Sequence, residues 1–219
     1  SIWKGRLVEM ASKGRRKDEL SAKLRLMELL KGSSLSDKSK ELLVSRAEVY
    51  LHLIDGLKWG QPKSKDVAAL KLSCDSFGCG LNPIRPAGVG RQQEKLSLRL
   101  MTEARRVCGV PLVLSAEPRI RAMIELLKHQ KIIDEEGARA IEATATCLIK
   151  DFDSRVGVNG VRVGVSPYCI AYGALWLASI LSNYRIMQRE IADCFNTTPP
   201  SIRSGAKRIQ DVTGVEVYV

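Results

Sequence analysis

Residues 166 to 210 read SPYCIAYGALWLASILSNYRIMQREIADCFNTTPPSIRSGAKRIQ. The pattern predicts three helices in quick succession, over 167–182, over 188–195 and from 199 onward. The first is apolar on almost every side, which is typical of a buried helix. The second and third are amphipathic, and only the polar turn 196–198 separates them. This is the spacing of a helix-turn-helix.

The third of these helices has clear start signals and a cationic face. Thr198 is predicted to cap it, and the two prolines that follow occupy the first turn, where a missing N–H costs nothing. In DNA-binding helix-turn-helix proteins this helix lies in the major groove. A solvated surface helix is the alternative, and the pattern alone favours neither. Ile202, Ala206 and Ile209 are expected to face the partner helices, and the exposed face carries Ser201, Arg203, Ser204, Lys207 and Arg208.

The composition of the whole chain predicts a helical protein with an anionic partner. Its 219 residues fit two domains of about 100 residues each, and aromatic residues make up only 5%. With 35 Lys and Arg against 24 Asp and Glu, the net charge is +11. This charge favours nucleic acid as the partner, with a membrane surface second. Because Lys and Arg interrupt every apolar run, we expect neither a membrane span nor a secretion signal.

Catalytic and metal-binding patterns are missing from the sequence. It contains no complete phosphate-binding loop, no nucleophile elbow and only two histidines, so we predict that the protein is not an enzyme and has no catalytic residue. Six cysteines occur without a Cys-x-x-Cys pair. We interpret them as reduced thiols in an intracellular protein, and we predict no metal and no cofactor.

The first half of the chain repeats the helix order of the second. When Val67 and Ala68 are aligned with Ile170 and Ala171, which lie 103 residues further on, the apolar helices around them match. A repeated unit of this kind predicts two lobes of similar plan. The predicted segments are a basic N-terminal segment 1–17, a first repeat 18–108 with a long loop 78–90, a linker 109–117, a second repeat 118–212 and a tail 213–219.

Helical spacing also predicts which side chains of the first half face the core. The first helix is expected to turn Leu20, Leu24, Met27 and Leu30 inward. In the helix predicted over 91–108, Val107 is expected to face inward and Arg105 outward.

Residues 156–165 alternate valine with glycine and polar residues, which predicts a small hairpin with Asn159-Gly160 at its turn. Arg162 in this segment is a candidate phosphate contact, and an idle surface loop is the alternative.

Four short motifs resemble those of the transcription factor IIB family. They are the Ser-Pro at 166–167, the Ile-Ala that enters an alanine-rich helix at 170–171, the Gln-Arg-Glu-Ile-Ala at 188–192 and the Ser-Ile-Arg at 201–203. The resemblance covers about 115–210 and is weaker over 18–108. It implies an all-α protein of two tandem five-helix cyclin-like repeats, the second ending in a helix-turn-helix. It also implies a general transcription initiation factor in the nucleus, a monomer that binds promoter double-stranded DNA and a TATA-binding protein and helps to recruit RNA polymerase.

The same resemblance implies where DNA is bound. In the family the final helix of the second repeat reads the major groove beside the TATA element, and the matching positions here are Thr198, Pro200 and Arg203. Arg203 is expected to donate to guanine or to a phosphate. By the repeat symmetry, Arg91 and Lys95 would meet the other flank. The full predicted DNA-binding set is Arg91, Lys95, Arg162, Arg189, Thr198, Pro200, Ser201, Arg203, Ser204, Lys207 and Arg208.

Two other functions fit the same pattern. One is a cyclin-box interaction module, the partner of a kinase or a regulatory scaffold, which binds no DNA. Such a module needs an apolar docking face on the first repeat, and the sequence predicts none. The other is a stand-alone helix-turn-helix regulator, which the length of the chain disfavours.

Overall fold

The computed structural model describes residues 15–57, 59–78, 90–109, 116–156 and 166–217. Within these ranges the regular structure is entirely helical, as predicted, and no strand occurs. The predicted hairpin, Arg162 and most of the 78–90 loop lie outside the described residues. The helices of the described residues are α1 (Arg15–Leu29), α2 (Asp37–Asp55), α3 (Pro62–Phe77), α4 (Arg91–Cys108), α5 (Glu117–His129), α6 (Glu135–Val156), α7 (Pro167–Leu181), α8 (Gln188–Phe195) and α9 (Pro199–Thr213).

Local capping signals set many of these boundaries. Ser36 begins α2 by accepting a hydrogen bond from the Ser39 N–H at 3.2 Å. Ser166 begins α7 in the same way, through the Cys169 N–H at 3.2 Å. The first described helix, α1, begins at Arg15, and α5 begins at Glu117. No described helix is long and apolar enough to cross a membrane.

The first four helices form one set around α3. This helix packs against α1, α2 and α4, and Ala68 and Leu70 at its centre are fully buried. In α1 the inward prediction is confirmed for Leu30, which is fully buried, and wrong for Leu24, which is 62% exposed. Leu26, which was not predicted to face inward, is also fully buried where α1 packs on α2 and α3.

The remaining five helices form a second set around α7. Apolar α7 packs against α5, α6, α8 and α9. The pairings of the first set recur here: first helix with second, second with third, first with third, and the last helix with both the second and the third. The additional helix, α8, comes between the third and the last. At the corresponding place in the first set lie residues 79–89, which are outside the described residues.

A polar cluster around Asp75 connects the two sets. Asp75 belongs to α3, and its carboxylate pairs with Arg105 of α4 and, at 3.9 Å, with Arg119 of α5. Tyr168 of α7 donates its hydroxyl hydrogen to the same carboxylate, and the Arg119 guanidinium lies 4.4 Å from the centre of the Tyr168 ring. Burial, with Asp75 close by, raises the pKa of Tyr168, so the hydroxyl remains a donor. The prediction that Arg105 faces outward is therefore wrong.

A cavity of about 320 Å³ also lies between the two sets, lined by residues of α2, α3 and α5 and of the segment before α2. Leu42 and Phe77 line it and remain 54% and 41% exposed. Although the sequence predicts no apolar docking face in the first half, the structure has exposed apolar side chains beside this cavity.

Candidate nucleic-acid interface

The turn between α8 and α9 is short and fully capped. Asn196 ends α8 in the left-handed conformation, at φ +53°, which asparagine tolerates better than most residues. The Thr197 N–H then donates to the Ala192 carbonyl at 2.9 Å. Thr198 caps α9 by accepting from the Ser201 N–H at 3.3 Å, so the predicted cap is confirmed. The two helices are therefore held at a defined angle.

The first turn of α8 is fixed by its own side chain and by the core. Glu190 accepts a hydrogen bond from the Met187 N–H at 2.7 Å, which satisfies one of the free donors at the helix start. On the inner side Ile191 and Phe195 are fully buried, and the Phe195 ring stacks on Tyr172 of α7 with 5.7 Å between ring centres. The outer side of α8 is thereby presented to solvent.

At two glycines the backbone of α9 packs directly against the backbone of α7. A Cβ atom at Gly205 would lie 1.7 Å from the Cys169 carbonyl oxygen, and one at Gly173 would lie 2.2 Å from the Ala206 nitrogen. Real Cβ atoms do not approach so closely, so only glycine fits either position. Sequence reasoning missed this contact. The available signal was a glycine in the middle of each helix, where glycine otherwise weakens a helix.

The sequence correctly predicts the buried side chains of α9, whereas two side chains predicted to be exposed, Ser201 and Arg208, are partly buried. Ile202, Ala206 and Ile209 are buried. Of the predicted contact residues on α9 and its cap, Pro200, Arg203, Ser204 and Lys207 are exposed, whereas Thr198, Ser201 and Arg208 are partly buried.

Cationic and acidic side chains are exposed together on α8 and α9, namely Arg189, Arg203 and Lys207 with Glu190, Asp193 and Asp211. Arg189 of α8 has an 88% exposed side chain and lies 3.9 Å from the exposed Asp193 carboxylate, a contact that contributes little. Arg203 donates through one terminal nitrogen to the Gln188 side-chain oxygen at 2.9 Å. Gln188 was not among the predicted residues. The exposed charges of the two helices therefore balance, and an anion could be bound only by individual side chains such as Arg203.

The predicted contacts of the first half lie elsewhere. Lys95 is exposed on α4, and Arg91 is the first residue of that helix. Since α4 packs on α3 and α2, Lys95 belongs to the first set and is not part of the surface formed by α8 and α9. Arg162 lies outside the described residues.

The inner side of α8 also contacts the first set of helices. The Ser34 hydroxyl, in the loop after α1, donates to the Cys194 carbonyl oxygen at 2.5 Å. Cys194 is buried, and this burial raises the pKa of its thiol to about 11. In the described part of the chain, no group of three or more His, Cys, Asp or Glu side chains is placed to hold a metal ion.

The search of protein-family models found no match to this chain. Over 60 residues the chain is 39% identical to the transcription initiation factor IIB of Methanopyrus kandleri. This chain is similar to a transcription initiation factor. The matched stretch is 27% of this chain and spans about a fifth (20%) of the length of that factor.

Proposed function

We propose that this chain is the core of a transcription initiation factor of the IIB type. It binds promoter double-stranded DNA together with a TATA-binding protein, helps to recruit RNA polymerase, and acts in the nucleus as a monomer. The observation that carries the proposal is α9, a capped helix whose exposed side bears Arg203 and Lys207 and whose buried side rests on α7. In a helix-turn-helix, a helix held in this way enters the major groove.

We further propose that the two sets of helices are the two cyclin-like repeats implied by the sequence. The recurrence of the helix pairings supports this proposal, because α1 to α4 pair with one another as α5, α6, α7 and α9 do. The proposed repeats keep the predicted boundaries, 18–108 and 118–212, joined by a linker at 109–117. The polar cluster around Asp75 fixes their relative position and hence the spacing of their DNA contacts.

The proposed DNA-binding residues divide into two roles. Arg203 and Pro200 lie in the first turns of α9, which meet base edges in a major-groove helix, with Thr198, Ser201 and Ser204 beside them. Arg189, Lys207 and Arg208 bind phosphates on this side, and Arg91, Lys95 and Arg162 bind phosphates elsewhere on the duplex. If about five or six phosphates are neutralised, the logarithm of the affinity falls with the logarithm of salt concentration with a slope near −5.

A mobility-shift experiment tests the proposal. A duplex with a TATA element is mixed with a TATA-binding protein, and this chain is expected to add a slower band. Arg203→Glu places a negative charge where a phosphate or guanine acceptor would lie, so the slower band should be lost. Arg121→Glu is the matched control, because Arg121 is exposed on α5 and is not among the proposed DNA-binding residues. The control should keep the band.

Absence of a slower band with the wild-type chain would contradict the proposal. A cyclin-box interaction module would then be favoured, with the exposed Leu42 and Phe77 beside the cavity as its docking face. A salt-independent affinity for duplex would contradict the phosphate contacts separately.

A further inference from the structure

The hydrogen bond between Gln188 and Arg203 joins the two helices at their solvent side. Gln188 is the first residue of α8, and Arg203 is the fifth residue of α9. The Arg203 NH1 atom donates to the Gln188 Oε1 atom at 2.9 Å, across 15 residues of sequence. The Arg203 side chain is exposed, so its other N–H groups remain open to solvent on that side.

Both backbones that carry this bond are immobilised by other contacts. The start of α8 is held by the Glu190 cap and by the buried Ile191. The second turn of α9 is held by Gly205 against Cys169 and by the buried Ile202. A bond between two fixed points restricts the guanidinium to a narrow range of positions, whereas a free arginine side chain samples many rotamers at an entropic cost on binding.

The chemistry of the pair fixes the orientation of the Gln188 amide. Arginine has five N–H donors and no acceptor, so only the oxygen of Gln188 can face it. One lone pair of the Gln188 oxygen accepts this bond, and its second lone pair and the NH₂ group remain available. The N–H groups of Arg203 that the bond leaves unused are all donors.

A guanidinium offers only donors, so it selects among the groups of a duplex. Phosphate oxygens accept hydrogen bonds, and guanine presents two acceptors, O6 and N7, in the major groove. Adenine presents one acceptor and one donor there. Arg203 therefore matches guanine or a phosphate better than adenine.

We propose that Gln188 is a positioning residue for Arg203, and that the guanidinium held in this way donates to acceptor groups of duplex DNA. This inference rests on the proposed function. Gln188 fixes the guanidinium before DNA arrives, so Arg203 loses less side-chain freedom on binding.

A double-mutant cycle tests the proposal in the complex with a TATA-element duplex and a TATA-binding protein. Arg203→Ala is expected to weaken binding by about tenfold or more, which is the range for loss of one well-placed bidentate contact. Gln188→Ala should weaken binding severalfold in the wild-type background and have no effect in the Arg203→Ala background. The melting temperature of Gln188→Ala should stay at the wild-type value, because the bond lies at the surface.

Modified duplexes distinguish the two acceptors. Each guanine beside the TATA element is replaced in turn by 7-deazaguanine, which lacks the N7 acceptor. If the pair reads guanine, one replacement weakens the wild-type chain and leaves Arg203→Ala and Gln188→Ala less affected. If the pair binds a phosphate, no replacement discriminates, and Arg203→Ala lowers the salt slope by about one.

The failures are separable. If Arg203→Ala binds as the wild-type chain does, both this inference and the use of α9 in the proposed function are wrong. If Arg203→Ala weakens binding but Gln188→Ala does not, or if the Gln188→Ala effect persists in full without Arg203, only the positioning role is wrong.

Discussion

The last helices of the two sets, α9 on α7 and α4 on α3, have matching partners but different kinds of contact. α9 meets α7 through Gly205 and Gly173, so backbone touches backbone. α4 is fixed through buried side chains instead, among them Leu100 and Ala104, which are fully buried. Leu100 also fills the space beside Gly60, in the connection between α2 and α3.

Because of this difference, α9 is positioned more strictly than α4. Side-chain contacts can repack when one residue changes, at a cost of about 1–3 kcal/mol. A contact between two backbones has no side chain to move, so the helices must separate if either glycine gains an atom. A helix that aligns Arg203 with a partner needs a fixed position. The stricter contact occurs beneath the helix that carries this exposed arginine.

Gly205→Ala should have the largest effect on stability. The new methyl group would overlap the Cys169 carbonyl oxygen, because the Cβ position lies only 1.7 Å from it. We expect a loss of roughly 4 kcal/mol or more, the range reserved for severe steric conflicts, and faster hydrogen exchange throughout α9. Urea unfolding and amide exchange measure the two effects. The neighbouring Ser204→Ala is the control, since Ser204 is exposed and the change should be nearly neutral. A loss below about 1.5 kcal/mol for Gly205→Ala would show that the two helices can slide apart.

Leu100→Ala should cost less, about 3 kcal/mol, because it leaves a cavity that neighbouring side chains can partly fill. Leu100→Met conserves the volume and should cost less than about 1.5 kcal/mol. Urea unfolding of the two variants tests whether the contact of α4 tolerates a change of side chain that the contact of α9 does not. If Leu100→Met destabilises as much as Leu100→Ala, the contact beneath α4 is as strict as the one beneath α9.

The sequence predicts those features of α9 and α4 that depend on residues close together in the chain. Thr198 and the prolines after it mark the start of α9, and the period of 3.6 residues identifies Ile202 and Ile209 as buried. The boundaries predicted for α4 agree with the structure at both ends. Caps and periodicity depend on residues a few positions apart, so a single sequence contains them.

Contacts between distant residues were not predictable in this way. The Asp75 carboxylate binds Arg105 and Tyr168, which are 30 and 93 residues away in the sequence, and no local pattern links these residues. This cluster also explains why Val107, predicted to be buried, is 55% exposed. With Arg105 turned toward Asp75, a residue two positions on is rotated by about 200° and faces solvent. Gln188 was missed for the same reason, because its bond to Arg203 depends on how the two helices cross.

The helix α8 has no described counterpart in the first set, and it contacts the loop that contains Ser34. A pH titration of the buried Cys194 thiol tests this contact. Burial raises the pKa of the Cys194 thiol to about 11, whereas an unfolded thiol ionises near 8.5. Between these two pKa values the Cys194 thiol is ionised in the unfolded chain and protonated in the folded chain. The stability contribution is therefore fully present below about pH 8, falls as the pH rises through 9 and 10, and levels off above about 11.

We expect this loss to reach about 3 kcal/mol near pH 11. It is measured as the difference in unfolding free energy between the wild-type chain and Cys194→Ala, at neutral and at alkaline pH. Cys147→Ala, which changes an exposed cysteine of α6, should keep the wild-type fall because Cys194 is still present. Parallel pH profiles for the wild-type chain and Cys194→Ala would mean that the thiol is accessible to water in the folded chain.

The smallest expected effect concerns the N-terminal caps of α9 and α4. Thr198 caps α9 with its side chain, whereas Gly90 begins α4 without a side-chain cap. Thr198→Ala leaves the Ser201 N–H without its hydroxyl acceptor and should cost about 1 kcal/mol, while Thr198→Ser should be nearly neutral. Gly90→Ser adds an acceptor at the start of α4 and should stabilise the chain by a few tenths of a kcal/mol. Thermal unfolding of the three variants measures the differences, and equal stability of Thr198→Ala and the wild-type chain would mean that the seat on α7 alone fixes the start of α9.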